Sequence, residues 1–426
     1  MAPMSAPATC AKTQLLAWID ADQAEIVRFL SGFLQAKSPN PPGDTREADA
    51  HVRALLAEEG LPFRTVAAKP HLPNIVGTFD GSGPGRHLVL NGHMDVFPAI
   101  EGRPGERGQW SGEITGDRVY GRGAADMKCG TTASIMTYRY LYRLREHLKG
   151  RLTLSVVSDE ETGGRWGTGH LMETCPEEVL GDCCLNGEPS GLPTLRFAEK
   201  GTLRLVFTIR TAGGHGAYPH LSASANKIAA ALVGELEAIA DLEADMPDAI
   251  REVLSRPEVQ AAIDQSLGDG ARHVVPRATV NIGVLRGGLK INMMPDECVV
   301  EADIRVPPGI PRDRVRSLVR DILARHPEAT MEERTDHSYD ASWCDPAGEM
   351  AGIIQDNVER LKGFRPQPIV SLGGSDGRYW RWRGIPAYLY GPSPRTMGRR
   401  DEHVTIDELM HIVRTHALSA FDYLSR

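Results

Sequence analysis

Acidic and imidazole side chains recur where strand-like apolar runs of this 426-residue sequence end. They are His93 and Asp95 in LVLNGHMDVFP, Asp126 in VYGRGAADMKCG, Glu160 and Glu161 in SVVSDEETGG, Glu188 in CCLNGEPSG, and His403 in GRRDEHVT. Ligand sites of open α/β sheets lie outside the carboxyl ends of the strands, so we expect these groups to converge. Oxygen and imidazole ligands without sulfur suit zinc, and also manganese or cobalt. The pattern therefore predicts a metal-dependent site.

His93 and Asp95 form the first of these positions. Strand alternation places both side chains on one side of their strand. His93 can then ligate a metal while the Asp95 carboxylate holds the other ring nitrogen. Taken singly, an acid at a strand end more often caps a helix or faces solvent. The metal interpretation depends on all these positions occurring together in glycine-rich contexts.

Strands and helices alternate in the segments that must position these groups. Helical apolar spacing predicts helices over residues 14–35, 46–59, 127–147, 168–174, 348–362 and 405–424. Strand-like runs lie at residues 63–68, 74–79, 87–92, 151–157, 182–187, 367–371 and 386–390. The alternation predicts an α/β fold with parallel strands. The glycine-rich residues 81–85 precede a strand, so they predict a hairpin turn and not a dinucleotide-binding loop.

A different order of elements begins near residue 199. The order β-α-β-β-α-β is that of a ferredoxin-like α+β unit, and residues 243–276 are an extra helical insertion within it. We therefore predict an α/β catalytic domain formed by residues 1–198 and 339–426. The smaller domain, residues 199–338, interrupts it.

Composition limits the partners. Hydrophobic residues make up 41% of the chain and charged residues 24%, with a formal net charge of −8. Such a surface repels nucleic acid and anionic membranes, so neither is an expected partner. No secretory signal is evident in the first twenty residues, and a cytoplasmic location is expected. Seven scattered cysteines without a C-x-x-C pair argue against a disulfide scaffold and a thiolate zinc site.

From residue 20 to 425 the chain resembles a known family. It is similar to the acetylornithine deacetylase, succinyl-diaminopimelate desuccinylase and carboxypeptidase G group of dinuclear metallohydrolases. GHMDVFP, YGRGAADMK, SDEETGG, NGEPS, GGHGAYPH and EH match that group's motifs in the same order. The resemblance implies a mixed-sheet catalytic domain with an inserted lid and dimerisation domain, and a homodimer or higher homo-oligomer. It also implies hydrolysis of a C–N bond in a small carboxylate-bearing substrate, such as an N-acyl amino acid or dipeptide.

The resemblance also implies roles for individual residues. His93 and Glu188 would bind one divalent ion, Glu161 and His403 a second, and Asp126 would bridge them; Zn²⁺ is the first expectation, with Mn²⁺ or Co²⁺ as alternatives. Glu160 would be the general base that serves a metal-bound hydroxide, with Asp95 supporting the catalytic site. His215 would reach a neighbouring subunit's site and donate to the oxyanion. The implied substrate-binding residues are Asn292, Arg305, Gly373 and Gly374.

Two alternatives stay open. The same metal centre could release ammonia from an activated aromatic amine, as in nitroanthranilate hydrolysis by relatives of the group. A serine hydrolase is the alternative of another class, because GGSDG fits G-x-S-x-G at Ser375 and a histidine follows later. That interpretation leaves the strand-end acids unexplained.

Overall fold

The computed structural model describes residues 6–100 and 107–426, with side chains from Cys10 onward in the first range. The first five residues, where no leader segment is expected, lie outside the described residues. No helix within the described ranges combines the length and apolar character needed to span a bilayer.

The α-helices are numbered along the chain. They are α1 Ala6–Ala21, α2 Gln23–Gln35, α3 Arg46–Glu58, α4 Cys129–Arg143, α5 His170–Thr174, α6 Pro176–Val179, α7 Ala225–Leu236, α8 Asp248–Ser255, α9 Pro257–Leu267, α10 Ala271–Val274, α11 Arg312–Leu323, α12 Glu349–Lys362, α13 Gly377–Arg381 and α14 Ile406–Leu424.

The strands are numbered in the same way. They are β1 Arg64–Val66, β2 Asn74–Asp80, β3 His87–His93, β4 Ile114–Thr115, β5 Arg118–Tyr120, β6 Arg151–Val157, β7 Cys183–Asn186, β8 Thr194–Glu199, β9 Gly201–Arg210, β10 Gly214–His215, β11 Thr279–Gly287, β12 Met293–Met294, β13 Glu297–Val306, β14 Ala329–Glu333, β15 Ser342–Trp343, β16 Gln367–Ser371, β17 Ala387–Leu389 and β18 His403–Thr405.

A nine-stranded mixed sheet forms the largest layer. Its order is β1-β2-β6-β3-β7-β17-β8-β15, and β16 pairs with β8. The pairs β3/β6, β3/β7, β7/β17 and β8/β16 are parallel, whereas β1/β2, β2/β6 and β8/β15 are antiparallel. The predicted mixed α/β sheet is confirmed.

Helices cover both faces of this sheet. Leu88 and Leu90 of β3 pack into the large core that α1, α2, α4, α12 and α14 share, while Val89 faces a smaller cluster formed with α5, α6 and Trp380 of α13. Strands buried on both faces are typical of parallel sheets between helical layers. This arrangement leaves the carboxyl ends of β3, β6 and β7 together at one edge.

A four-stranded antiparallel sheet lies between β8 and β15 in the sequence. Its order is β11-β13-β9-β14, and its inner face packs on α7 and α11. Alternate residues of β9, Leu203, Leu205, Phe207 and Ile209, are buried in this second core. Along the chain, the strands of this sheet and the two helices packed on it come in the order β9-α7-β11-β13-α11-β14. This is the β-α-β-β-α-β order expected from the sequence.

The helical insertion does not join that second core. Val259 and Ile263 of α9 and Ile250 of α8 belong to the large core, and α9 packs against β8 and β16. Residues 248–274 therefore form part of the layer that covers the nine-stranded sheet.

Two local predictions were wrong. The helix predicted over 14–35 is divided at Asp22, whose backbone leaves helical geometry and whose carboxylate accepts a hydrogen bond from Tyr140. Residues 81–85 do not close a hairpin, because β6 lies between β2 and β3 in the sheet.

Candidate metal centre

Three of the predicted ligands converge at the carboxyl edge of the large sheet. His93, Asp126 and Glu188 each offer a ligand atom, and these atoms lie within 4.8 Å of one another. His93 Nε2 is 3.3 Å from Asp126 Oδ1 and 3.3 Å from Glu188 Oε1. His93 and Glu188 are buried, and Asp126 is half-buried. Within the described ranges, Glu161 and His403 fall outside this cluster.

Parallel pairing of β3 with β7 explains why His93 and Glu188 meet. Asn91 lies opposite Asn186, so the two chains leave the sheet at the same level. The start of α4 then packs tightly on the loop that carries Glu188. A Cβ atom at Gly130 would overlap the carbonyl oxygen of Gly187, so this approach requires glycine.

The His93 ring is oriented by backbone. Its Nδ1 donates to the Asp95 carbonyl oxygen at 2.8 Å, which leaves Nε2 free to face the carboxylates. The Asp95 carboxylate is farther from Nδ1, with Oδ1 at 3.5 Å. The carboxylate predicted to hold this nitrogen thus lies at ion-pair distance, while the shorter contact of Nδ1 is to the backbone carbonyl of the same residue.

The Asp95 carboxylate also holds the loop after β6. It accepts hydrogen bonds from the backbone amides of Glu160 at 3.3 Å and Glu161 at 3.1 Å, and from Asn40 Nδ2 at 2.9 Å. Asp95 is fully buried. One residue therefore ties the His93 strand to the turn with the two adjacent glutamates.

Asp126 lies in a segment, Ala124–Lys128, where Asp126 and Met127 have non-helical backbone angles. Glu402 Oε1 accepts the backbone N–H of Ala125 at 3.0 Å and of Asp126 at 3.3 Å. The other oxygen of Glu402 accepts from Arg122 at 2.6 Å, and both side chains are buried. The prediction missed Glu402, although it directly precedes the candidate ligand His403.

Glu161 and His403 lie beside the cluster. Burial, followed by the charge of Asp126, raises the pKa of Glu161 well above its usual range. His403 is half-buried on β18, and this strand contacts the Ala124–Lys128 segment that carries Asp126. Its Nδ1 donates to the Asp401 carbonyl at 2.6 Å, which leaves Nε2 available.

Glu160 follows β6 and is largely buried. Its Oε1 accepts a hydrogen bond from Arg378 Nη1 at 3.2 Å. Burial and the charge of Glu188 raise the pKa of Glu160, whereas His93 and Arg378 oppose that rise. Arg378 was not among the predicted site residues.

The donor set fits a divalent cation. Glu161 Oε1 and Glu188 Oε1 are buried and accept no hydrogen bond from the described residues. Burial, followed by the negative charge of the neighbouring Asp126, raises the pKa of Glu188 to about 7. The carboxylates lie close together with too little positive charge between them to keep them all ionised. Carboxylate oxygens beside an imidazole nitrogen are ligands that zinc and manganese accept.

A cleft of about 750 Å³ opens beside Asp126 and Glu188. Gly373 and Gly374, the glycines predicted to bind substrate, are among the residues that line it. Ser375, the next residue, is buried, and its hydroxyl donates to Glu199 Oε2 at 2.7 Å. That hydroxyl is therefore engaged with a carboxylate, and this geometry gives no support to the serine-hydrolase interpretation.

The remaining predicted residues lie on the four-stranded sheet and on or next to the small two-stranded sheet formed by β10 and β12. His215 and Asn292 are both exposed. They lie close together, because the residue after His215, Gly216, donates its backbone N–H to the Asn292 carbonyl at 2.8 Å. Arg305 is half-buried and pairs with Asp303 at 2.8 Å. None of these three is among the described residues that line the cleft.

Comparison with known sequences identifies relatives along most of the chain. The profile of peptidase family M20/M25/M40 matches residues 89–421. A succinyl-diaminopimelate desuccinylase from Alkalilimnicola ehrlichii is 29% identical over 407 residues, with 92% of this chain and 97% of that protein covered.

Solved structures share the fold at lower identity. An M20 family metallo-carboxypeptidase from Sulfolobus solfataricus gives a TM-score of 0.79 at 18% identity and covers 94% of this chain and 99% of its own. A dinuclear metal binding peptidase from Bacillus subtilis gives 0.60 at 15%, with 95% and 99% covered.

Proposed function

The chain belongs to peptidase family M20/M25/M40 and is a metal-dependent hydrolase of C–N bonds, and we propose that it cleaves the amide bond of a small carboxylate-bearing substrate. N-acyl amino acids and dipeptides are the proposed substrate class, with N-succinyl amino acids first because desuccinylases are among the relatives. The observation that carries the proposal is the convergence of His93, Asp126 and Glu188, with unpartnered carboxylate oxygens, beside a cleft of substrate size.

Two divalent ions are proposed for the centre. His93 and Glu188 would hold one, Glu161 and His403 the other, and Asp126 both. The unpartnered Glu161 oxygen near Asp126 supports the second position, as does the free His403 Nε2 beside the Asp126 segment. Zn²⁺ is the first candidate for these nitrogen and oxygen ligands, followed by Mn²⁺ and Co²⁺.

Glu160 is the proposed general base. Divalent ions held by these residues would supply Lewis acidity, which would polarise the amide carbonyl and lower the pKa of the attacking water. The Glu160 carboxylate takes the proton from that water and gives it to the leaving nitrogen, so that water adds to the carbonyl carbon and the C–N bond breaks. The Asp95 carboxylate holds the turn that carries Glu160, because it accepts hydrogen bonds from the backbone amides of Glu160 and Glu161.

A dimer is the proposed assembly, with the four-stranded sheet and helices α7 and α11 as the lid and dimerisation domain; residues 248–274, within the predicted range 199–338, pack instead on the catalytic domain. In support, β11 is an edge strand of its sheet, and the exposed Leu285, Leu289 and Ile291 lie on or next to it, with Ile291 fully exposed. Long apolar edges of this kind favour pairing with another chain. His215 and Asn292 lie on this exposed region, so each protomer would supply them to its partner's site.

Arg305 is proposed to bind the α-carboxylate of the substrate. Its guanidinium donates through Nη2 to Asp303 and also interacts with Tyr339, and its planar fork can bind a carboxylate. A cytoplasmic location is also proposed, and the seven free cysteines are in keeping with a reducing compartment.

Metal analysis followed by a substrate panel tests the function. Purified protein is stripped with a chelator, reloaded with Zn²⁺, Mn²⁺ or Co²⁺, and assayed on N-acyl amino acids, dipeptides and aromatic amines. We expect amide hydrolysis only after reloading, and Glu160→Ala to lose turnover while it retains metal. Full activity after exhaustive metal removal would contradict the proposal, and turnover of aromatic amines alone would favour the aminohydrolase alternative.

A further inference from the structure

The cleft beside the metal centre carries three arginines that the proposed reaction does not use. Arg196, Arg395 and Arg399 line it together with Asp126 and Glu188. We propose that they form an anion subsite that receives a second carboxylate of the substrate. The inference rests on the proposed amide hydrolysis and adds the residues that would recognise a second acidic group of the substrate.

Arg196 forms the floor of this subsite. It lies on β8 and is only 8% exposed, yet it lines the cleft. Its Nη2 donates to the Pro189 carbonyl, next to Glu188, while its Nε is buried and has no hydrogen-bond partner among the described residues. A buried guanidinium with an unused donor is costly unless an anion completes its environment.

Three neighbouring carboxylates, Glu188, Asp126 and Glu199, stabilise the charged form of Arg196, and the first two are proposed metal ligands. Glu199 is shared with Arg381 and Ser375. Divalent ions at Asp126 and Glu188 would therefore leave the positive charge of Arg196 only partly balanced. A substrate carboxylate placed beside Arg196 would restore the balance.

Arg395 and Arg399 stand at the mouth of the cleft. Both are exposed on the connection from β17 to β18, and Arg395 Nη2 donates to the Gln265 carbonyl at 3.0 Å. Asp264 also lines the cleft, but its carboxylate is engaged with Arg272 through the backbone N–H at 2.9 Å and the guanidinium at 3.3 Å. Asp269 lines the same wall, so the two arginines exceed it by one positive charge and the mouth favours anions.

The helical insertion forms the facing wall. Residues 264–269, at the end of α9 and in the turn after it, line the cleft. Val259 and Ile263 of the same helix are buried in the large core that also supports β3. The wall and the metal-bearing strands thus rest on one packed core, which sets the spacing between the metal centre and the arginines.

A carboxylate suits this geometry because the arginine fork matches its two oxygens. The group could lie on the acyl side or on the amine side of the scissile bond. An N-succinyl amino acid tests the acyl side against its isostere with a terminal carboxamide. N-acetyl-glutamate tests the amine side against N-acetyl-glutamine.

The variants are Arg196→Lys, Arg399→Ala and the control Arg320→Ala, whose exposed side chain on α11 does not line the cleft. In the metal-loaded enzyme, we expect kcat/KM to favour the acidic member of at least one pair. Arg196→Lys and Arg399→Ala should lower kcat/KM for the acidic substrate about 10- to 100-fold, the range for lost charged hydrogen bonds. Both should change kcat/KM for its neutral isostere little. Arg320→Ala should leave kcat/KM unchanged for both substrates. Equal losses for both members, or no preference in either pair, would overturn the subsite.

A binding measurement separates this inference from the proposed reaction. Succinate should raise the melting temperature of the metal-loaded wild type more than its monoamide does, and Arg399→Ala should remove that difference. If the wild type hydrolyses no amide in the panel, the proposed function fails, and the succinate comparison still decides the subsite. Equal effects of succinate and its monoamide on the wild type would overturn it.

Discussion

Arg378 and Glu160 form a buried ion pair, with Nη1 3.2 Å from Oε1, across 218 residues of sequence. The same guanidinium donates from Nη2 to the Gly163 carbonyl at 2.8 Å and from Nη1 to the Ser375 carbonyl. Arg378 therefore ties the glutamate turn after β6 to the glycine-rich loop after β16. A carboxylate held in this way has a fixed position relative to Glu161, the proposed metal ligand that follows it.

Replacing Arg378 should impair catalysis more than substrate binding. Arg378→Lys keeps the charge but cannot reach the three acceptors together, so we expect kcat to fall about 10- to 100-fold, the range for charged hydrogen bonds. KM and metal content should change little. In Arg378→Ala, added guanidinium should restore part of kcat. A rise in KM at constant kcat would instead assign Arg378 to substrate binding.

Replacing Glu402 should weaken metal binding. The Glu402 carboxylate fixes the backbone at Ala125 and Asp126, and its charge balances the buried Arg122. Glu402→Gln removes that charge and places an amide N–H₂ group opposite the N–H donors that the carboxylate oxygens now accept. We therefore expect the metal affinity to fall about 10- to 100-fold, as for other residues that orient metal ligands. Competition with a chromophoric chelator measures it.

The matched control is Asp407→Asn. Asp407 is exposed and pairs with Lys362 at the start of α14, so its loss removes the same charge away from the Asp126 segment. Its metal affinity should equal that of the wild type. Wild-type affinity in Glu402→Gln would show that Asp126 does not depend on this carboxylate.

Much of the site could be predicted because its signals are local. His93 at the end of β3 and Glu188 after β7 both follow recognisable strands, and parallel pairing brings such ends together. The long-range supports gave no comparable signal. Arg378 reaches Glu160 only because α13, which follows β16, packs beside the turn after β6 in the folded chain.

Other differences have local causes that periodicity does not report. The predicted helix 127–147 begins at Cys129, because non-helical backbone at Asp126 and Met127 precedes it. Apolar spacing in residues 243–276 predicts helices, but spacing alone does not say which core they join. The contacts of Val259 and Ile263 with the large core decide that question.

Replacing Ser375 should affect stability and leave the chemistry intact. Its hydroxyl donates to Glu199 Oε2, which also lies 3.3 Å from Arg381 Nη1. Ser375→Ala should cost about 1–3 kcal/mol of stability through the lost buried hydrogen bond. Turnover below the melting temperature should stay close to wild type, and a serine-directed phosphonate should not inhibit. Loss of turnover at unchanged stability and metal content would favour a serine nucleophile.

His416 should make the protein less stable as the pH falls below neutrality. It is fully buried on α14, and its Nε2 donates to the Tyr390 carbonyl at 2.7 Å. Burial lowers the pKa of His416 to about 4, whereas in the unfolded chain it is about 6.5. The unfolded state therefore binds the proton first, so the contribution is present above pH 6.5 and is lost between pH 6.5 and 4. At pH 5 the loss is about 2 kcal/mol.

His416→Gln tests this because the glutamine amide can still donate to Tyr390 but does not titrate. We expect a smaller difference in melting temperature between pH 7.5 and pH 5 for the variant than for the wild type. His273, exposed on the short helix α10, offers a control in which the same substitution should leave that difference unchanged. If the melting temperature of His416→Gln depends on pH as strongly as that of the wild type, protonation of His416 does not destabilise the fold. The acid sensitivity would then have another source.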